Sequence, residues 1–543
     1  MTTSPPSTSP SGAILRINAA TLSDWLAGTT PFALIDVREA GQFGAGHPFM
    51  AASLPYSRLE LDAPWLLPAR DVPIALLDDN DGVAERAARR LATLGYHAVA
   101  IVDEGVVGAS QAGLTLFEGV NVPSKTFGEW IHHRCRTPQI TATALRARLD
   151  AGERMLLLDG RTPEEYRRMT IPGARCCPNG ELAYRIDELV DDEETPIVVN
   201  CAGRTRSIIG AQTLIDLGIP NPVLALENGT QGWFLADFAL EHGADRFYPS
   251  RVDADSQRKA QIRAQRLGRH HGVQAVDATT VSRWLSGAYA ATYVFDVRTI
   301  EEHRHDNIGV ARHAPGGQLL QNTDQYVAIR GARIVVVDDD GSRATVIAAW
   351  LRQMGHDAFT MACEQARRIV GPALPPDGSA PFVLGSVLPS ALRQRDRASA
   401  ATHLVDLRSS SAWLSAHVKG AFWSIRPRLV AALQARGATL GDRIALISDD
   451  ADVARLAARD LLDTGYADIV HVCHDPARWR EAGFQIAEGT GELAQAARID
   501  YVFFAHDRHA GNRDAARAYL AWEQDLVAQC SALEIGAFER ADL

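Results

Sequence analysis

Short apolar runs that end in an Asp-x-Arg pair recur four times along the chain. Each run has the length of a buried strand and follows a stretch whose apolar residues have helical spacing, at 21–27, 141–149, 279–285 and 388–395. The pairs are Asp36 and Arg38, Asp159 and Arg161, Asp296 and Arg298, and Asp406 and Arg408. The pattern predicts four copies of a helix–strand unit in which the acid ends the strand.

A second apolar run, typical of a buried parallel strand, follows each pair, and a helix-like stretch that ends in glycine comes next. Counting back 17 residues from that glycine puts the strand-ending position at Asp78, Cys201, Asp338 and Ser448. Each lies 42 residues after the Asp of its own pair, a spacing that unrelated segments would not share. The chain therefore contains four repeats, with four copies of one site position.

Each repeat reads as strand, helix, strand, helix, strand, which predicts a small doubly wound α/β domain with a parallel sheet and helices on both faces. We expect four tandem domains between a disordered leader and a C-terminal tail that matches no part of the repeat. The predicted ranges are 1–13 (leader), 14–125, 138–247, 272–371 and 383–488 (domains), and 489–543 (tail). Linkers are expected at 123–137 and 371–381, and a charged helical connector at 248–272; the tail predicts a strand at 501–504 and a helix at 513–529.

The composition, with 46% hydrophobic and 22% charged residues, is that of a soluble globular protein. Its 66 acidic against 55 basic side chains disfavour nucleic acid or an anionic membrane as a partner. No apolar stretch reaches the roughly 20 residues of a membrane span, and the N-terminus lacks a signal-peptide pattern, so a cytoplasmic protein is expected. Seven irregularly placed cysteines form no disulfide framework, so a functional cysteine should act as a thiol.

Cys201 is the one cysteine at a site position, in a loop that precedes a helix beginning at Ser207 or its neighbours. Backbone N–H groups at a helix N-terminus stabilise an anion, and nearby arginines lower a thiol pKa, so we expect a thiolate at neutral pH. Arg204 and Arg206 are suited to an oxyanion such as thiosulfate. The expected substrate-binding residues are Ala202, Gly203, Arg204, Thr205, Arg206 and Ser207, with Cys201 as the catalytic residue and no metal ligand.

These features resemble the rhodanese family of sulfurtransferases, whose active cysteine lies in a six-residue loop after a central strand. The second repeat matches in DGRTPEEY from Asp159, IPGA from Ile171, the Cys201 loop, and LENGTQGW ending at Trp233. It departs from the family at the fourth loop position, where glycine is usual and this chain has Arg204 after Gly203, and at Thr170, where histidine is usual. The resemblance covers about 430 residues and implies four tandem rhodanese domains, of which the second is active.

The expected activity is that of a thiosulfate sulfurtransferase. The Cys201 thiolate would take the outer sulfur of thiosulfate or a similar anion and form a persulfide, while the loop holds the departing sulfite. Cyanide, a cellular thiol or a protein acceptor then removes the sulfur, and no cofactor is needed. Asp78, Asp338 and Ser448 cannot carry a persulfide, so the other three repeats are expected to be inactive scaffold or docking surfaces.

Two other functions stay open. One is a persulfide carrier or docking scaffold for a sulfur-metabolism partner, with low turnover on free thiosulfate. The other, a phosphatase or arsenate-type reductase, is disfavoured because Cys201 and Arg206 form Cys-x4-Arg, one residue shorter than the phosphatase loop. Oligomeric state and the physiological acceptor have no sequence signature.

Other residues invite roles that simpler interpretations outweigh. Asp159 and Arg161 read as a structural ion pair, because the same pair occurs in repeats without a cysteine. Packing is favoured for the adjacent Cys176 and Cys177. For His506-x-x-His509 an exposed turn is favoured over a metal pair, and for Trp233 a core position and a site position are equally supported.

Overall fold

The computed structural model describes residues 14–287, 291–371, 382–393, 401–489, 491–509 and 511–539. The expected leader at 1–13 and the linker residues 372–381 lie outside these ranges. None of the helices within them combines the length and hydropathy that crossing a bilayer requires.

The first two repeats alternate short strands with helices. Repeat 1 comprises β1 (Leu15–Ile17), α1 (Ala19–Ala27), β2 (Phe32–Asp36), α2 (Ala40–Ala45), β3 (His47–Pro48), β4 (Ala52–Ser53), α3 (Leu59–Leu66), β5 (Ile74–Leu77), α4 (Val83–Thr93), β6 (Val99–Val102), α5 (Gly105–Gln111) and β7 (Leu116–Phe117). After helix α6 (Val122–Cys135), repeat 2 comprises β8 (Gln139–Ile140), α7 (Ala142–Asp150), β9 (Leu156–Asp159), α8 (Pro163–Arg168), β10 (Arg175–Cys176), α9 (Asn179–Arg185), β11 (Ile197–Asn200), α10 (Thr205–Asp216), β12 (Val223–Leu226) and α11 (Gly229–Leu235).

The second half of the chain continues the alternation. After the connector α12 (Ala254–His270), repeat 3 comprises β13 (Gln274–Ala275), α13 (Ala278–Ser286), β14 (Thr292–Asp296), α14 (Ile300–His305), β15 (Arg312–His313), α15 (Gly316–Gln321), α16 (Thr323–Tyr326), β16 (Ile329–Arg330), β17 (Arg333–Asp338), α17 (Ser342–Gln353), β18 (Asp357–Ala362) and α18 (Cys363–Ala366). Repeat 4 and the tail comprise β19 (Thr402–Asp406), α19 (Ser410–Ser415), β20 (Ala416–Val418), β21 (Phe422–Trp423), α20 (Leu429–Gln434), β22 (Arg443–Ser448), α21 (Ala451–Asp463), β23 (Ile469–Cys473), α22 (Pro476–Glu481), β24 (Ile486–Glu488), α23 (Phe503–His506), α24 (Arg513–Gln529) and α25 (Ala532–Glu539).

Each repeat forms its own parallel sheet, so the predicted fold class is confirmed. The strand orders are β1-β6-β5-β2 with β4 beside β2, β8-β12-β11-β9-β10, β13-β18-β17-β14-β15, and β23-β22-β19-β21. The strand that carries the site position, β5, β11, β17 or β22, lies in the interior of its sheet. The exact domain limits stay predictions.

The spacing of 42 residues follows from the register between the strand that carries the Asp-x-Arg pair and the strand that carries the site position. The Asp of each pair lies beside the residue that immediately precedes the site position: Asp36 beside Leu77, Asp159 beside Asn200, Asp296 beside Val337, and Asp406 beside Ile447. The pair and the site position therefore meet at the carboxyl edge of the sheet in every repeat.

The Asp-x-Arg pairs are buried braces in all four repeats. The guanidinium–carboxylate distances are 2.7 Å for Arg38–Asp36, 2.7 Å for Arg161–Asp159, 2.8 Å for Arg298–Asp296 and 2.6 Å for Arg408–Asp406. Each arginine also donates to the carbonyl eight residues further on, at Gly46, Met169, Asp306 and Ala416. Because repeats without a cysteine carry the same network, the structural interpretation holds.

Three elements differ from the sequence-based expectation. The segment 123–137, expected to be a linker, forms helix α6, and 501–504, expected to be a strand, leads into the short helix α23. The helix expected at 388–395 is described only as a 3₁₀ turn at Pro389–Leu392, with 394–400 outside the described ranges. The predicted tail helix at 513–529 is confirmed as α24.

The repeats pack into one body. Strand β16 of repeat 3 pairs antiparallel with β2 of repeat 1, and the Tyr293 hydroxyl donates to the Leu66 carbonyl at 2.7 Å. The Trp350 indole N–H of repeat 3 donates to the Thr213 hydroxyl of repeat 2 at 2.9 Å. Repeat 4 is joined to repeat 1 where buried Arg426 donates to Glu60 at 2.8 Å.

We predict that Asp36→Asn destabilises the protein by about 3 kcal/mol, because it leaves buried Arg38 without its main partner. A lower thermal unfolding midpoint, followed by circular dichroism, would show this loss. The matched control is Asp150→Asn, which breaks only the exposed pair with Arg146 and should leave the midpoint unchanged. Equal midpoints for both variants would contradict a bracing role.

Candidate active site

Cys201 lies directly after β11 and is only 2% exposed. Helix α10 begins at Thr205, so Thr205, Arg206 and Ser207 form its first turn. The Ser207 hydroxyl donates to the Cys201 Sγ at 3.1 Å. Strand β11 and the first turn of α10 thus place the thiol at a helix N-terminus, as expected.

The start of α11 closes the loop from the other side. The amides of Thr230 and Gln231 donate to the carbonyls of Cys201 and Ala202, at 2.8 and 3.1 Å. Gly229 has φ +52°, and a Cβ there would lie 2.2 Å from the Cys201 carbonyl oxygen, so only glycine permits this close approach. Trp233 is buried and donates to the Ala239 carbonyl, which places it in the core. The motif LENGTQGW therefore supports the loop backbone.

The two loop arginines have different surroundings. Arg206 forms a two-point ion pair with Glu165 of α8, at 2.7 and 2.8 Å. Two nitrogens on one edge of the Arg204 guanidinium donate to Glu129 of α6, at 2.6 and 2.9 Å, and the third donates to the Asn228 side chain at 3.2 Å. Arg206 is the cation that acts on Cys201, whereas Arg204 ties the loop to the helix between repeats 1 and 2.

A carboxylate from the C-terminal tail also reaches the loop. Glu523 of α24 is 2% exposed and accepts hydrogen bonds from the Thr205 hydroxyl at 2.7 Å and the Thr205 amide at 3.4 Å. Leu526, one turn further along α24, belongs to the same hydrophobic core as Ile208 of α10 and Phe127 of α6. Sequence analysis missed Glu129 and Glu523, since no local pattern shows which surface a helix will cover.

The expectation of a thiolate at neutral pH is not met in this closed arrangement. Burial raises the pKa of the Cys201 thiol above its ordinary value, and the Glu523 carboxylate adds to the rise. Arg206 and both the hydroxyl and the amide of Ser207 act in the opposite direction but are outweighed. Arg206 also pairs with Glu165, and its positive charge holds the pKa of the Glu165 carboxyl at about 2 despite burial.

The site positions of the other repeats are filled by their own side chains. Asp78 accepts from the Ala84 amide at 2.9 Å, and Asp338 accepts from the amides of Arg343 and Ala344 at 2.9 and 3.1 Å. Ser448 donates to the Asp450 carbonyl at 2.8 Å. In repeats 1 and 3 a carboxylate therefore accepts from the amide that corresponds to that of Ser207, which acts on the Cys201 thiol in repeat 2.

The remaining candidates lie away from this chemistry. Cys176 and Cys177 are buried, and burial raises the pKa of both thiols. His506 lies in α23 with its Nδ1 beside the Val502 carbonyl. Across the described ranges, no three His, Cys, Asp or Glu side chains are grouped as they would be around a metal ion.

The fold and this site define a tandem-repeat α/β protein in which one of the four site positions is a cysteine. The model of the rhodanese-like domain family matches residues 18–112 and 141–236. The crystal structure of a thiosulfate sulfurtransferase from Pseudomonas aeruginosa is similar over 98% of this chain and 99% of that one, with a TM-score of 0.87 and 36% identity. The chain belongs to the rhodanese family, as a multi-domain member.

Two curated relatives match shorter segments. A putative sulfur carrier protein of Bacillus subtilis, YrkF, is 32% identical over 96 residues, which is 18% of this chain and 50% of that protein. The HTH-type transcriptional regulator Rv0324 of Mycobacterium tuberculosis is 36% identical over 105 residues, 19% of this chain and 45% of that protein. The chain spans about half the length of these curated relatives.

We predict that alkylation of Cys201 by iodoacetamide increases with pH, with a midpoint above the ordinary thiol value of about 8.5. A raised pKa keeps the sulfur protonated at neutral pH, so the reactive thiolate forms only as the pH rises through the pKa of the folded state. Ser207→Ala removes a hydrogen bond to the thiolate and should move the midpoint higher. Peptide mass spectrometry follows the reaction, with exposed Cys473 as the internal reference. A midpoint below 8.5 would mean that the helix terminus and Arg206 outweigh burial.

Proposed function

We propose that this protein is a sulfurtransferase that moves sulfane sulfur from an anionic donor, such as thiosulfate, to a thiophilic acceptor through a Cys201 persulfide. The observation that carries the proposal is a single thiol at the first turn of α10, in a chain similar over nearly its full length to a thiosulfate sulfurtransferase. The other three repeats have no cysteine at the site position, so they lack the nucleophile and serve as scaffold.

In the first step the Cys201 thiolate attacks the outer sulfur of the donor, the S–S bond of thiosulfate breaks, and sulfite leaves with the bonding electron pair. The product is the Cys201 persulfide. Cyanide or a thiolate then attacks the outer sulfur of this persulfide and restores the Cys201 thiolate, with thiocyanate or a new persulfide as product. The Ser207 hydroxyl stabilises the sulfur anion in both halves of the cycle, and Arg206 is the side chain suited to hold the departing sulfite.

The buried position of Cys201 requires the site to open before a donor enters. Movement of α24 would return water to the thiol and remove the Glu523 carboxylate, both of which favour the thiolate. A persulfide carrier with low turnover is the second candidate, because the same closure would protect a bound persulfide from solvent. The likeness of one segment to a putative sulfur carrier protein is consistent with this alternative.

We predict that incubation with thiosulfate adds one sulfur atom to the intact mass of the wild-type protein and none to that of Cys201→Ser. Cys473→Ser is the matched control, since it removes an exposed thiol outside the loop and should retain the adduct. Thiocyanate production from thiosulfate and cyanide, measured alongside, separates an enzyme from a carrier. Unchanged turnover in Cys201→Ser would overturn the proposed function.

The contrast between the two arginines gives a second test. Arg206→Ala should raise the KM for thiosulfate about tenfold to a hundredfold, because it removes a charge-assisted donor from the loop. Arg204→Ala should mainly lower the thermal unfolding midpoint, because it leaves Glu129 buried without its partner. Steady-state kinetics and thermal unfolding of both variants check this difference, and a larger KM effect in Arg204→Ala would reverse the assignment.

A further inference from the structure

One oxygen of the Glu523 carboxylate is buried without a hydrogen-bond partner among the residues that the structure describes. The other oxygen is held by Thr205, so this second one, Oε2, faces the Cys201 loop and lies 3.0 Å from where a Cβ on Gly203 would be. A buried carboxylate oxygen left unpaired is unfavourable unless something else binds there.

A second unpaired group lies at the same point. The side-chain amide of Gln231, 7% exposed, has neither its nitrogen nor its oxygen bonded within the described part of the chain. Its Nε2 lies 3.7 Å from the same Cβ position on Gly203. A neutral amide and a carboxylate oxygen, neither of them bonded within the described residues, therefore both lie beside Gly203 of the Cys201 loop.

The charge around Gly203 is not the net positive charge that two loop arginines predict. Arg204 faces Glu129 and Arg206 faces Glu165, so each guanidinium is already matched by a carboxylate. Glu523 adds a negative charge on the side from which α24 covers the loop, and the buried Lys125 ammonium, which donates to the Val120 carbonyl, interacts with this carboxylate. The Glu523 oxygen is nevertheless the atom closest to the Cβ position on Gly203, so a dianion that enters there meets this carboxylate first, and a monoanion meets half of that repulsion.

We propose that Glu523 is a specificity-determining residue that disfavours dianionic donors and selects monoanionic sulfur donors. The inference rests on the proposed function, because it names the substrate class of the Cys201 site. Thiosulfate carries two charges, whereas a thiosulfonate or an alkyl persulfide carries one. With methanethiosulfonate the Cys201 thiolate takes the outer sulfur, the S–S bond breaks, and methanesulfinate leaves with the electron pair. The bonds formed and broken are the same as with thiosulfate, and a neutral methyl group replaces one charged oxygen of the donor.

The test compares kcat/KM for thiosulfate and methanethiosulfonate in the full-length protein. Wild type should prefer the monoanion, and Glu523→Gln, which keeps an oxygen for Thr205, should shift the ratio toward thiosulfate about tenfold. Asp525→Asn is the matched control, because Asp525 is exposed on the same helix and is bonded to Gln529. This control should leave the ratio unchanged.

Three results would overturn the inference. A wild-type preference for thiosulfate would do so without any variant. An equal gain for both donors in Glu523→Gln would show that α24 limits access without sensing charge, and an unchanged ratio would show no role for the carboxylate. If neither donor converts Cys201 to a persulfide in any of the proteins, the proposed function itself fails, which intact mass distinguishes from a failure of selectivity alone.

Discussion

The structure depends on a buried carboxylate–guanidinium pair at the end of one strand in every repeat. Burying either charge alone would be strongly unfavourable, so the strand end and the turn that follows must adopt the geometry in which they meet. The arginine then fixes a carbonyl eight residues later, as Arg161 does at Met169. Because the same aspartate lies beside the residue before the site position, this brace also sets where the site loop begins.

A common backbone with different side chains separates repeat 2 from the others. The amide six residues after the site position faces the site in repeats 1, 2 and 3, at Ala84, Ser207 and Ala344. In repeats 1 and 3 an aspartate accepts that hydrogen bond and leaves the loop occupied by its own carboxylate. In repeat 2 the smaller, softer sulfur takes this place. Replacing the cysteine therefore requires no change of fold, and repeat 3, which lacks it, still packs against repeat 2 through Trp350.

The parts of the structure that could be predicted are those with local causes. The apolar runs set the strands, the spacing between Asp159 and Cys201 set the register, and the tail helix was recognised from its own pattern. The partners of the loop could not be predicted, because Glu129 and Glu523 lie 75 and 318 residues from the groups they bind. The aromatic run at 501–504 looked like a strand, yet aromatic residues favour strands only where a sheet edge accepts them. Here Phe504 packs against Tyr519 and Trp522 of α24 instead.

The pairing of the loop arginines follows from the same constraint as the braces. Two largely buried guanidinium groups in the loop of a buried thiol would be strongly unfavourable without partners. The ion pairs with Glu129 and Glu165 compensate these charges and so stabilise the closed loop. That neutralisation lowers the attraction for an incoming anion. Under the proposed function, a donor replaces a carboxylate at Arg206 or enters as α24 withdraws Glu523, and in either case its negative charge substitutes for one already present. Binding at such a site is an exchange of anions, in which the charge of the donor matters as much as its shape.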